Sequence, residues 1–433
     1  MDDDQHLRSG GGREARRGSV GQAVDAAAGA EAVAGRQPPP VRAAVVSGAS
    51  EAPTYPDLVR DLADRGLLTG RWRQVFEAVP RSRFVPADVW RQLPDRCEPV
   101  VGADAWLALV NSDEPVVTQL DDGAEGGPGI ATSSNSMPSM VARMLGLLEV
   151  RDGMRVLEVG TGTGYVAALL CERLGDDLVH SVELDPVVAR QAAEALAQSG
   201  YRPRLRVGDG EQPWPGLGPM DRLVATCALR YVPHTLLRQV RPGGIVVAPL
   251  AREFWSGALV QLRVQEDGTA VGPFRGGATY MPMRAHRVPD LHEVRGKGRA
   301  RAAGLDPARL LDLGFALFAG ARLPGVRLIH QAAGEGVQVW VTHGNGSAAS
   351  AATGEEVWQY GPGFLWEEIE QTWWEYESAG RPGPEQFGLT VTDRGQHVWL
   401  RDPRAVIGPG RGQFPRRPSP APRAQARVRG DHD

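Results

Sequence analysis

From Val141 to Val264, short apolar runs alternate with segments whose apolar residues recur every three or four positions. The runs Arg155–Val159, Leu178–Glu183, Leu205–Val207, Arg222–Thr226, Ile245–Leu250 and Leu259–Val264 read as buried strands. Between them Tyr165–Leu174, Val187–Gln198 and Pro233–Val240 carry the helical period. Such alternation predicts an α/β fold with a parallel, doubly wound sheet, and places any ligand beyond the carboxyl ends of the strands. Upstream, Leu58, Leu62, Leu67, Val75, Phe76 and Val79 recur at helical spacing, until Val79-Pro-Arg-Ser-Arg-Phe-Val-Pro86 ends the pattern with two prolines.

The pattern changes after Arg284. Six of the eleven tryptophans fall between Trp340 and Trp399, a clustering that marks a separate region. Val326–Gln331 and Val337–Thr342 read as strands joined at Gly334-Glu-Gly336, and Leu389–Thr392 with His397–Leu400 as a hairpin. Between these pairs, Leu365, Ile369, Trp373 and Tyr376 form one helical stripe opposite Glu367, Glu368, Glu370 and Glu375. A core face is the ordinary reading of that stripe, and a ligand-stacking surface is the alternative. Residues 1–52 and 408–433 lack periodicity, are rich in Gly, Ala, Arg and Pro, and read as disordered tails. The expected division is therefore a tail at 1–52, a sheet domain at 53–284, a Trp-rich α+β accessory domain at 285–407 and an Arg/Pro-rich tail at 408–433.

Composition narrows the function classes. A formal net charge of −4 gives no global field for nucleic acid or an anionic membrane. Neither an 18-residue apolar span nor a basic, apolar leader is present, so a cytoplasmic location is expected. Cys97, Cys171 and Cys227 are scattered without metal-ligand spacing, and neither a disulfide framework nor a metal site is expected.

The chemistry begins at Val156-Leu-Glu-Val-Gly-Thr-Gly-Thr-Gly-Tyr165, a strand turning into a helix through Gly160, Gly162 and Gly164. Glycines there let a ligand approach the backbone. Glu183 closes the next apolar run, where an acidic side chain can hold two ribose hydroxyls. A dinucleotide fingerprint would be G-x-G-x-x-G. Here the spacing is E-x-G-x-G-x-G, with Tyr165 where the third glycine would fall. This pattern resembles class I S-adenosylmethionine (SAM) methyltransferases, whose ligand has a ribose and an adenine but no phosphate.

Five motifs occur in a fixed order: Val79-Pro-Arg-Ser-Arg-Phe-Val85, Ser134-Asn-Ser-Met-Pro-Ser-Met-Val-Ala-Arg-Met144, Arg155–Tyr165, Val207-Gly-Asp-Gly210 and Arg241-Pro-Gly-Gly-Ile-Val-Val247. Together they resemble the protein-L-isoaspartate (D-aspartate) O-methyltransferase family from about Leu58 to Tyr280-Met-Pro-Met283. The resemblance implies a Rossmann-like SAM-dependent fold. It implies that Gly160, Gly162 and Gly164 contact the methionine part of SAM and that Glu158 helps fix its ammonium. Glu183 would accept from the ribose, while Asp209 with Gly210 would meet the adenine. Ser136 would lie at the substrate carboxylate as the catalytic-side residue, against a plainer reading as a helix cap. The partner would be a peptide or protein bearing isoaspartate or aspartate, with neither nucleic acid nor membrane involved.

A carboxylate with a pKa near 4 is already ionised at pH 7. It attacks a sulfonium methyl without a general base, in keeping with the absence of a His–Asp dyad near the glycine loop. Two departures from the family stand out: Ala225-Thr-Cys-Ala-Leu-Arg-Tyr-Val-Pro233, where the family has an Ala-Ala-Pro-like segment, and Ser139, with Ser136 in the serine-rich run Thr132-Ser-Ser-Asn-Ser136, where the family often places an aromatic or histidine. Arg230 reads either as a partner for a substrate carboxylate or as a surface residue. The departures resemble an actinobacterial branch that methylates aspartate in ribosomally made peptides, in which the Trp-rich region would grip the peptide. A non-catalytic SAM- or peptide-binding module is the other alternative.

Overall fold

The computed structural model describes residues 53–288 and 298–409. The expected tail at 1–52, and all of the expected tail at 408–433 beyond residue 409, lie outside the described residues.

The N-terminal apolar stripe folds as two helices, Tyr55–Asp64 and Trp72–Ala78. Thr54 and Asp57 close a capping box on the first, and Leu58, Val59 and Leu62 bury its inner face. Four short strands follow: β1 (Trp90–Gln92), β2 (Cys97–Pro99), β3 (Val116–Leu120) and β4 (Ala131–Asn135). They form an antiparallel sheet of order β2-β1-β3-β4, which the hydrophobic pattern does not announce because the strands are short and polar.

The main sheet contains β5 (Val156–Val159), β6 (Val179–Glu183), β7 (Arg204–Val207), β8 (Met220–Ala225), β9 (Val240–Arg252), β10 (Trp255–Val264) and β11 (Ala270–Gly277). β7, β6, β5, β8 and β9 are parallel neighbours in that order. Every residue of β5 is buried, as expected for a central strand covered on both faces. The chain steps from β5 outward through β6 to β7 and then returns to the other side of β5 as β8. That reversal opens a crevice at the carboxyl ends of the strands. From β9 onward the sheet turns antiparallel, because two residues connect β9 to β10 and leave no room for a crossover helix. The expected helix at Pro233–Val240 shortens to His234–Leu237 as β9 begins at Val240.

Beyond residue 297 come β12 (Arg299–Arg301), β13 (Val326–Ala333), β14 (Gly336–His343), β15 (Ala348–Ala352), β16 (Val357–Tyr360), β17 (Phe387–Thr392) and β18 (Gly395–Leu400). β12 to β16 make a separate antiparallel sheet, covered by helix Leu365–Ser378, while helix Leu313–Arg322 packs against that helix and against β10 of the main sheet. β17 and β18 do not belong to it. β17 pairs with β11, from Ala270 opposite Val391 to Pro273 opposite Gly388, so the hairpin extends the main sheet to nine strands.

The expected domain boundary after Arg284 therefore needs correcting. Local pattern marks where the tryptophans cluster, but strand pairing returns the last hairpin to the first domain's sheet. A continuous core runs through Leu262, Phe274, Phe315, Trp366 and Phe387. The tryptophan stripe is packing: Leu365, Ile369 and Tyr376 are buried, and Trp373 sits edge-on to Phe315 at 5.0 Å. Two of the glutamates expected on the solvated face are buried as well, Glu370 against Arg301 and Glu375 against Arg322.

Candidate functional site

The crevice at the strand ends is one cleft of about 2090 Å³. Glu158, Gly160, Gly162, Glu183, Asp209, Gly210 and Ser136 all line it. Gly164 does not; it stands behind the loop as the left-handed cap of helix Tyr165–Leu174, where a Cβ would come 3.1 Å from the Leu196 side chain.

Gly160 has φ 98°, and a Cβ there would lie 2.9 Å from Thr226 Oγ1. That hydroxyl donates to the Gly160 carbonyl at 2.5 Å, so Thr226, in the segment that departs from the family, anchors the loop. Glu183 holds the loop from the other side. Its Oε2 accepts from the Gly162 N–H at 2.9 Å and its Oε1 from the Asp185 N–H at 3.1 Å. Each carboxylate oxygen keeps a second acceptor site for a ligand hydroxyl.

Glu158 is fully buried, not a solvated strand end. Ser181 Oγ donates to its Oε2 at 2.6 Å, and Ser181 is bonded in turn to Thr161 of the loop. Oε1 has no hydrogen-bond partner. Burial pushes this carboxyl up to about 8; the Ser181 hydrogen bond opposes that and the nearby Glu183 charge adds to it. Asp209 accepts from the Glu211 N–H at 2.9 Å, fixing the turn after β7. Gly210 packs closely beneath it, since a Cβ there would lie 2.6 Å from Val159 Cγ1.

Ser136 follows β4 and precedes helix Pro138–Leu147. That helix has no side-chain cap bond at Met137, so Ser136 is not its cap. Its carbonyl accepts from Arg81 at 3.1 Å, and its side chain neighbours the buried Tyr280 hydroxyl. Arg81 is fully buried and reaches five further acceptors: Asn135 Oδ1 at 2.6 Å and the carbonyls of Val110, Ser112, Glu114 and Asn135. Asn135 Nδ2 then donates to Thr163 Oγ1 at 2.8 Å, tying the serine turn to the glycine loop.

A strap of ion pairs joins two segments that line the cleft. Asp122, between β3 and β4, pairs with Arg284 and Arg287, which follow the Tyr280-Met-Pro-Met283 segment. Asp185 accepts from Gln119 at 3.2 Å and Arg284 at 3.3 Å while capping helix Pro186–Gln198. Burial alone would raise the Asp185 carboxyl, yet these bonds together hold it below its ordinary value. Nearby, the Glu211 carboxylate pairs with His286 Nε2, whose Nδ1 accepts from the Arg230 N–H at 2.9 Å.

Arg81, Asn135, Thr226 and the His286–Glu211 pair were not identified as site residues from sequence. Arg81 and Asn135 had a signal, their places in two of the ordered motifs. Arg230 lines the cleft with its guanidinium paired to Glu253 through Nε and Nη2. Cys227 is a packing residue whose thiol burial pushes up to about 12.

Comparisons with known proteins point one way. The family model described as Protein-L-isoaspartate(D-aspartate) O-methyltransferase (PCMT) matches residues 54–287. The chain is 35% identical over 227 residues to Protein-L-isoaspartate O-methyltransferase 2 of Anaeromyxobacter sp. (strain Fw109-5), covering 52% of this chain and 79% of that one. It is 34% identical over 202 residues to the Protein-L-isoaspartate O-methyltransferase of Ignicoccus hospitalis, covering 46% and 82%. A solved structure titled protein-L-isoaspartate O-methyltransferase shares the fold at a TM-score of 0.50 and 20% identity. It covers 81% of this chain and 100% of its own, so the likeness in fold extends past residue 287.

Proposed function

The chain belongs to the protein-L-isoaspartate (D-aspartate) O-methyltransferase family, and from that membership we propose how its cleft methylates the free carboxylate of an isoaspartyl residue. One observation carries the proposal: a single cleft joins the glycine loop, Glu183 and Asp209 to the Ser136 turn. Cofactor and peptide sites therefore face one another.

The residues present fit SAM. Glu183 has acceptor capacity for the ribose hydroxyls beyond its two backbone bonds. Glu158 Oε1 is a buried acceptor without a partner, suited to an ammonium. Asp209 and Gly210, which line the same cleft, would hold the adenine end. SAM, when bound, supplies a methyl group on a sulfonium.

The protein's own work is alignment. The substrate carboxylate is ionised at neutral pH and needs no general base. Ser136, held through its carbonyl by Arg81, positions that carboxylate, and the Asp122–Arg284–Arg287 strap limits water at the cofactor side. Positioning of this kind can lower the barrier by about 7 kcal/mol or more. The protonated Cys227 thiol takes no part. In the product, the neighbouring backbone nitrogen attacks the ester carbonyl and expels methanol, closing a succinimide whose hydrolysis returns some normal aspartate.

The relatives' names favour damaged proteins as substrates over a dedicated peptide-tailoring role, and the intact loop argues against a non-catalytic module. Among the described residues no helix is long and apolar enough to cross a membrane. The test is an initial-rate assay on an isoaspartyl peptide and its normal aspartyl twin. Methylation of the first alone is expected, with Ser136→Ala cutting kcat/KM far more than SAM affinity. SAM binding with no turnover on either peptide would overturn the proposal.

A further inference from the structure

Arg143 extends from helix Pro138–Leu147, seven residues past Ser136, and lines the same cleft as Ser136, Met140 and Tyr280. Its guanidinium is half-buried, and burial lowers its pKa with no acidic neighbour to oppose this. One hydrogen bond holds it, from Nη1 to the Gly277 carbonyl at 3.2 Å. Among the described residues the other donors have no hydrogen-bond partner and are not fully buried, and Arg143 lines the cleft. A Cβ on Gly276, where φ is +86°, would lie 2.7 Å from Nη2, so the glycine leaves the guanidinium its space.

Of the other cations of the cleft, Arg252 donates to the Arg230 carbonyl at 3.2 Å and to Gln396 at 3.5 Å, and four more are paired with carboxylates. Arg230 pairs with Glu253, Arg284 with Asp122 and Asp185, Arg287 with Asp122, and Arg96 with Asp95 and Glu98. Among the described residues no carboxylate lies within ion-pair reach of Arg143. A half-buried guanidinium that lines a peptide cleft is a receptor for a carboxylate. The carboxylate that attacks the methyl group is a poor candidate, because a guanidinium bound to it would draw away the electron pair the reaction needs.

We propose that Arg143 is a specificity-determining residue that receives an acidic side chain flanking the isoaspartyl residue, so that the enzyme selects damaged sites in acidic sequence. This rests on the methyltransferase reading above. The test uses isoaspartyl peptides differing only by Glu or Gln, scanned over the two positions on either side of the isoaspartate. For the wild type, KM should be roughly tenfold lower with Glu at one of these positions. The preference should shrink as salt rises. Arg143→Gln should erase the preference while leaving SAM affinity and kcat on the Gln peptide unchanged, and Arg143→Lys should restore part of it. Equal wild-type KM for both peptides overturns the proposal, as does a preference that survives Arg143→Gln. An Arg143→Gln penalty equal on both peptides also overturns it, because Arg143 would then act on the reacting carboxylate or on packing. If the wild type methylates no isoaspartyl peptide, the functional reading itself fails and this inference falls with it.

Discussion

Arg81 and Ser136, 55 residues apart in the chain, meet at 3.1 Å, guanidinium to carbonyl. The same guanidinium bonds Asn135 through both its side chain and its carbonyl. Asn135 is bonded in turn to Thr163 in the glycine loop. The Ser136 turn and the glycine loop are therefore fixed to one another through a buried cation that burial pushes down to about 10 and that stays charged at neutral pH.

Arg81→Met should destabilise the fold by on the order of 3–5 kcal/mol, because several buried carbonyls lose their donor at once. Arg81→Lys keeps the charge but not the planar fork. It should lower kcat/KM on an isoaspartyl peptide by about tenfold or more, since positioning carries the chemistry, with SAM affinity changed far less. Calorimetry and initial rates on Arg81→Lys check this. Parallel losses in SAM binding and turnover would show a general collapse of the site.

The ordinary carboxyl value for Glu158 is 4.5, and in the fold it rises to about 8. Between those values the folded protein holds a proton that the unfolded chain has released. Stability without ligand should therefore fall as pH rises through that window and level off above it. A ligand ammonium beside Oε1 favours the ionised form, so binding SAM at pH 7 should release up to about one proton. Titrations in two buffers of different ionisation enthalpy measure it. Glu158→Gln should abolish the release, flatten the pH slope and weaken SAM. A proton release unchanged in the Gln variant would assign it elsewhere.

Glu183→Ala should weaken SAM by about 1–3 kcal/mol, the range for hydrogen bonds to a charged group. It also frees the Gly162 N–H, so the loop should loosen. At saturating SAM, kcat should stay within a few-fold of wild type. Calorimetry with SAM and NAD side by side gives the readout, and tight NAD binding would remove the basis of the cofactor assignment.

The glycine loop, Glu183 and Asp209 were legible in the sequence because each depends on residues close along the chain. A strand end, a turn needing positive φ and an acid after the next strand are local events. What stayed hidden depends on distant partners. Glu370 and Glu375 share a helix with exposed glutamates, and only the arrival of Arg301 and Arg322 buries them. His286 and Glu211 read as unremarkable polar residues until the fold joins them. The hairpin at Phe387–Leu400 was visible, but its choice of β11 as neighbour lies in a pairing across more than a hundred residues.

That pairing yields a prediction opposite to the one local pattern suggests. A chain ending at Arg284 would contain every methyltransferase motif, and the composition shift invites a cut there. The structure instead leaves β11 as an exposed edge once β17 is gone. Phe387, Leu389 and Val391 are buried against the core shared with Phe274 and Phe315, so the cut also uncovers apolar surface. An unpaired edge beside exposed aromatic side chains is an aggregation site. The truncated chain should be insoluble or fail to bind SAM. Leu389→Ala in the full chain tests the same packing more gently. It should lower stability by about 2–5 kcal/mol, the usual cost of a cavity at a fully buried leucine, although it touches neither cofactor nor substrate. Thermal unfolding with and without SAM measures both. A soluble, monomeric chain ending at Arg284 that binds SAM normally would show that β17 and β18 only decorate a sheet already complete without them.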